Sequence, residues 1–273
     1  MIFRHIVLSA VIVGVVAGLI YGLFQQLQIS PIIYAAEVFE VAEDISHTQV
    51  APPILGEPGH NHAVDHAAVV STTVAAATEH HHDTEAWAPA DGTERVLFTL
   101  GANVLVGISF ALILVSLMVL HNLKSSKPKI DAVRGIGWGI AGLLVVFVAP
   151  ALFGLHPEVP GTKAAALENR QLWWTFCVLA TAIGIAIMYY APVKLKGLGV
   201  LLAAIPLIIG AQLPEQEGFA NIDPVAIQAL TELTHQFYST TAIGMTIFFI
   251  VVGALSGYMV KKFVKLDAEP TYP

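Results

Sequence analysis

Histidine and carboxylate side chains crowd two short stretches of this 273-residue chain. His60, His62, Asp65 and His66 form one group; Glu79, His80, His81, His82 and Asp83 form a second. Neutral imidazole and carboxylate are ligands for borderline divalent ions such as Co, Ni, Zn and Cu(II), and His62 with His66 can chelate from one helical turn if metal induces it. No cysteine or methionine stands near either group, which argues against a Cu(I) or thiolate site. The histidine triplet is internal and short, so it does not read as a purification tag. A solvated polar stretch without a bound ion is the bland alternative.

Further candidates are spaced more widely. Glu37, Glu40, Asp44 and His47 recur at steps of three, four and three, so a helix would put all four on one face. His156 and His235 fall at one pair of boundaries of the apolar stretches and His5 and His121 at the opposite pair. They either hand an ion in and out or simply hydrogen-bond at an interface where histidine is tolerated. In "GLHPEVPG", residues 154–161, Pro157 and Pro160 forbid a continuing helix and Gly161 permits a tight reversal. That holds Glu158 near the surface as a ligand, a gate or part of a rigid turn, with Arg170 of "RQLWW" within reach as its partner.

Composition names the elements that must position these groups. The chain is 56% hydrophobic and 12% charged, with mean hydropathy +0.72. A soluble domain of this size does not carry so little charge, so the chain reads as a membrane protein. Six segments without Asp, Glu, Lys or Arg, each roughly 17 to 25 residues, are long enough to cross hydrocarbon as helices. They run over Ile6 to Phe24, Val96 to Leu120, Ile136 to Leu155, Gln171 to Ala191, Gly197 to Leu213 and Phe237 to Val260. Pro31 is expected to end the first helix, and Pro206 interrupts the fifth segment. The first segment exceeds the apolar core of about 7 to 15 residues usual in a cleaved signal peptide. It also places Gly14, Gly18 and Gly22 on one face for close helix approach, so it is read as retained. The lone Cys177 lies in an apolar run and offers neither a disulfide nor a CxxC site.

Orientation follows from the bases. Arg4, Lys124, Lys127, Lys129, Arg134, Lys194, Lys196, Lys261, Lys262 and Lys265 fall on one side of the six segments, and only Arg95, Lys163 and Arg170 on the other. The positive-inside rule then puts both termini in the cytoplasm. Three regions result: helix 1 over 1–30, an outer acidic and histidine-rich loop over 31–95, and a five-helix region with a short cytoplasmic tail over 96–273. "TQVAPPILGEPG", 48–59, is a Pro and Gly rich linker inside the loop. No segment carries an acid, which argues against a self-sufficient proton-coupled carrier. No GxxxxGK[ST] stretch supplies a nucleotide motor, no nucleophile and base are assembled for an enzyme, and no nucleic-acid partner is expected.

"SPIIYAAEVFE" after the first segment, "APALFGLHPEVPG" closing the third, "RQLWW" opening the fourth and "IPLIIGAQLPE" in the fifth resemble, in order, the CbtA family, a predicted cobalt transporter component of bacteria. The resemblance implies a multi-pass inner-membrane protein for cobalt uptake linked to cobalamin supply, working with a small one-span partner, CbtB, that has histidines of its own. By motif it singles out Glu37 and Glu40, then Pro157, Glu158, Pro160 and Gly161, then Arg170, Gln171, Trp173 and Trp174. His156 stands where the family more often has an apolar or proline residue, and the histidine-rich loop is longer than typical. The expectation is an all-α membrane protein of about six transmembrane helices. It would serve as a subunit for uptake of cobalt, or of nickel or zinc, across the lipid bilayer. Assembly as a homo-oligomer stays open, and the rival reading is an accessory or structural subunit without transport activity of its own.

Overall fold

A computed structural model of the chain describes residues 2–48, 89–124, 129–211 and 218–263, with side chains up to Glu40 in the first of these stretches. Among the described residues the named elements are all helical: α1 (Ile2–Phe24), α2 (Ser30–Thr48), α3 (Thr93–Lys124), α4 (Ala132–Leu143), α5 (Ala149–Leu152), α6 (Leu167–Tyr190), α7 (Val193–Ile209) and α8 (Pro224–Phe263). Five helical runs are long and apolar enough to cross a membrane: Ile2–Glu40, Thr93–Lys124, Ala132–Leu152, Leu167–Tyr190 and Pro224–Phe263. The fifth apolar segment forms α7, whose 17 residues reach about 25 Å, the short end of a spanning helix. It still returns the chain to the far end of α6. Beyond it the Lys163 N–H donates to the Gly218 carbonyl and the Ala220 N–H to Gly161, both at 2.9 Å, pairing with the turn that precedes α6.

Pro31 does not end the first helix. A π turn, Gln25–Ile29, joins α1 to α2, and the Ser30 N–H reaches back five residues to the Gln25 carbonyl. The next donor in that register is Pro31, which has none, so the wide turn absorbs the missing bond without a break. The same device recurs at Leu144–Val148, where the Ala149 N–H bonds to Leu144 and Pro150 follows. In lipid, a broken helix leaves carbonyls with no water to receive, at several kcal/mol each, so a π turn is the cheaper answer to a proline. Pro206 likewise stays inside α7, which stops only at Gly210, where φ is +77° and the N–H bonds back to Pro206.

The helices pair through glycine. A side chain on Gly14 would collide with the backbone of Ile108 on α3, as the recurrence of Gly14, Gly18 and Gly22 led one to expect. Two further seams obey the same rule: a Cβ on Gly253 of α8 would lie 2.5 Å from the Gly135 carbonyl of α4, and one on Gly184 of α6 2.6 Å from the Gly199 carbonyl of α7. Between lipid-facing helices there is little hydrophobic gain to be had, so backbones brought into van der Waals contact supply the adhesion. The α1–α3 and α4–α8 pairs close around Val13, Val115, Met118, Phe248, Phe249 and Val252. The α6–α7 pair docks on the third transmembrane segment through two indoles: Trp173 Nε1 donates to Phe153 at 3.3 Å and Trp174 Nε1 to the Val146 carbonyl, within the second π turn, at 3.1 Å.

A second, smaller core lies outside the main one. Ala36 of α2, Val159 and Leu230 of α8 are buried together, with Phe39, Phe219, Leu233 and Phe237 around them. Asn221 Nδ2 donates to the Phe39 carbonyl at 3.0 Å and fixes α2 against this group. The result is a cap at one end of the bundle, and it gathers the acidic candidates.

Candidate functional site

Glu37 sits two turns into α2, on the side facing the start of α3. Both of its oxygens accept from the Arg95 guanidinium, Nη1 to Oε2 at 3.2 Å and Nη2 to Oε1, although 58 residues separate the two in sequence. The guanidinium also lies over the Tyr34 ring, 4.8 Å from its centre, and Nη1 reaches Asp91 at 3.1 Å. Such a forked pair fixes the direction of both side chains, which a lysine could not do. Glu40, one turn further, is exposed, and its Cγ lies 3.4 Å from where a Cβ on Gly161 would sit. The Gly161 φ of +79° and the missing side chain let the turn run directly beneath that carboxylate.

Glu158 pairs with Arg170 at 3.0 Å, as their short separation implied. The two line a shallow recess of about 360 Å³ with Ile33, Pro160, Thr162 and Phe237 among its walls. Among the described residues the buried Thr162 hydroxyl has no hydrogen-bond partner. His156 is exposed and rests edge-on against Tyr238, ring centres 6.4 Å apart. His235 is exposed on α8, and its backbone carbonyl accepts from Ser239 Oγ at 2.9 Å. The structure therefore brings Glu37, Glu40, Glu158, His156 and His235 to one end of the bundle. It does not converge them: among the described residues no three His, Cys, Asp or Glu side chains form a metal-holding group. The side chain of His47, and His60, His62, Asp65, His66, Glu79, His80, His81, His82 and Asp83, lie outside the described residues.

At the opposite end His121 is buried, its Nδ1 2.9 Å from the Tyr190 hydroxyl, with Trp138 and Tyr189 against its ring. It ties α3 to α6, which is the ordinary interfacial use of a histidine. Sequence reading missed one polar contact inside the bundle: Asn103 Nδ2 donates to Gln25 Oε1 at 2.7 Å, joining α3 to the first π turn. Asn103 is the only amide between Val96 and Leu120, which is the signal that marks it.

A family model described as "Probable cobalt transporter subunit (CbtA)" matches residues 3–261. The chain belongs to the CbtA family. The match reaches every described helix and both acid-arginine pairs, so the cap and the bundle belong to one family unit. A search of curated proteins and a search of solved structures each returned no match. Family and helices together make this a multi-pass membrane protein of a cobalt transporter-subunit family.

Proposed function

We propose that the chain is the membrane subunit through which a divalent transition metal, cobalt first and nickel or zinc as alternatives, is taken up across a bacterial inner membrane. The histidine and acid groups between residues 59 and 84 collect the ion on the outer side, and the acidic cap receives it. The observation that carries this reading is the family match over essentially the whole chain. It is supported by the gathering of Glu37, Glu40 and Glu158 at one end, two of them held by arginine. An arriving dication competes with a guanidinium for a carboxylate, so each pair can yield an oxygen ligand, and at the first pair Asp91 still stands against Arg95 when Glu37 turns to the ion. No motor is needed for the direction: two charges moving inward gain about 4.6 kcal/mol per 100 mV.

A second reading has its own support. Val115, Met118, Phe249 and Val252 are almost completely buried in the core that α3 and α8 share. An accessory subunit, or a permease completed by a small one-span CbtB-like partner or by further copies of itself, fits that packing. Co(II) flux into sealed proteoliposomes separates these readings. Flux with the chain alone supports a permease, flux only with the partner supports a shared route, and none with either overturns the transport reading.

A further inference from the structure

The end of the molecule opposite the acidic cap carries a second recess, about 480 Å³, lined by Asp131, Ala132, Val133, Tyr258, Lys261 and Lys262. It lies where the first turn of α4 meets the last turns of α8. Among the described residues, Lys129, Arg134, Lys261 and Lys262 stand at this corner against one acid, Asp131. That acid is already engaged: Oδ1 accepts the Arg134 N–H at 3.0 Å, capping α4, and Oδ2 lies 3.4 Å from Arg134 Nη1. Lys262 Nζ donates to the Tyr258 hydroxyl at 3.1 Å and lies 5.4 Å and 5.2 Å from the centres of the Tyr258 and Phe263 rings. Among the described residues the ammonium thus rests on a hydroxyl and two aromatic faces rather than on a carboxylate. Apolar side chains flank the cations, Val133 77% exposed and Phe263 41%. Both sit at ends of membrane-crossing helices, the level of the lipid headgroups.

We propose that this recess binds the phosphate of an anionic glycerophospholipid. Lys261 and Lys262 hold the phosphate oxygens; the Tyr258 hydroxyl, which accepts from Lys262, has its own proton to donate to them. Val133 and Phe263 lie along the first part of the acyl chain. A soluble phosphate would use the same cations but gain nothing from the apolar rim, and that difference selects the lipid. The assignment is independent of the cobalt reading.

The test uses the full chain, stripped of lipid in a neutral detergent and titrated separately with dioleoyl-phosphatidylglycerol, dioleoyl-phosphatidylcholine and inorganic phosphate. Native mass spectrometry counts adducts and thermal unfolding reads stabilisation. Phosphatidylglycerol should be retained selectively. With each lysine near a charged lipid contributing about fivefold, the double variant Lys261→Ala, Lys262→Ala should weaken that retention about thirtyfold. Phosphatidylcholine binding should not change, and Lys261→Arg, Lys262→Arg should restore selectivity. Should the double variant fail to fold, Lys262→Gln, which removes the charge but keeps a polar side chain, should lose about fivefold. Equal retention of the two lipids, or alanine or glutamine variants that bind like the parent, overturns the proposal. So does stabilisation by inorganic phosphate equal to that by phosphatidylglycerol.

Discussion

Glu37 and Arg95 give the acidic cap a testable division of labour. Their side chains are 33% and 29% exposed, so water and salt screen the pair. The forked geometry then contributes about 1 kcal/mol rather than the several of a buried pair. Glu37→Gln and Arg95→Gln should each lower thermal stability by a similar small amount, and a double-mutant cycle should return a coupling of about 1 kcal/mol that shrinks in high salt. Uptake should separate them. If the carboxylate receives the ion, Glu37→Gln loses Co(II) accumulation while Arg95→Gln, which frees the same carboxylate, keeps it. Equal losses in both would reduce the pair to a brace. At the same scale, a peptide of residues 59–84 should bind Co(II) or Ni(II) near neutral pH and release it below about pH 6. The sign follows from the ligand: metal needs neutral imidazole, and protons compete for the same nitrogen. Calorimetry without heat from any divalent ion would remove the loop from the proposal.

At the scale of helices, backbone contact decides which glycines matter. A side chain at Gly253 or Gly135 meets the opposite backbone, whereas one at Gly137, two residues along α4, meets nothing within 4 Å. Gly253→Leu should cost about 1 to 3 kcal/mol or more and appear as loss of monodisperse protein in detergent chromatography, while Gly137→Leu elutes like the parent. The cap of α4 carries a pH signature. Asp131 is held below the ordinary carboxylate range, chiefly by the backbone N–H of Arg134 that it accepts. A depressed folded pKa stabilises above the unfolded value and loses that contribution as pH falls through the folded one, so the loss begins below about pH 4. Asp131→Asn keeps an acceptor and should flatten the melting temperature in that window.

These elements also mark what the amino-acid sequence could disclose. Charge-free runs long enough to span were legible because hydrocarbon sets both their length and their lack of charge. Gly14, Gly18 and Gly22 were legible because their spacing is their mechanism, and the same spacing stood unread in Gly135 with Gly139 and Gly253 with Gly257. Pro31 misled, because a proline that stops a helix in water is accommodated in lipid by a π turn. In the candidate site, Glu158 with Arg170 could be paired from a separation of twelve residues. Glu37 with Arg95 could not, since only the folded bundle brings those segments together.

For the whole molecule the decisive quantity is direction. The bundle packs a cap carrying Glu37, Glu40 and Glu158 at one end and places Lys129, Arg134, Lys261 and Lys262 at the other. If the basic end is cytoplasmic, the histidine groups that follow α2 meet the ion before the bundle does, and capture precedes entry. If it is not, the same ligands would receive an ion already inside, and uptake fails as a description. The sole cysteine, Cys177, is buried, so its replacement by serine leaves a clean background for labelling. On that background, a membrane-impermeant maleimide applied to intact spheroplasts should label Ser71→Cys at once and Lys265→Cys only after the membrane is opened. The opposite pattern would turn the molecule over and send the proposed cargo outward.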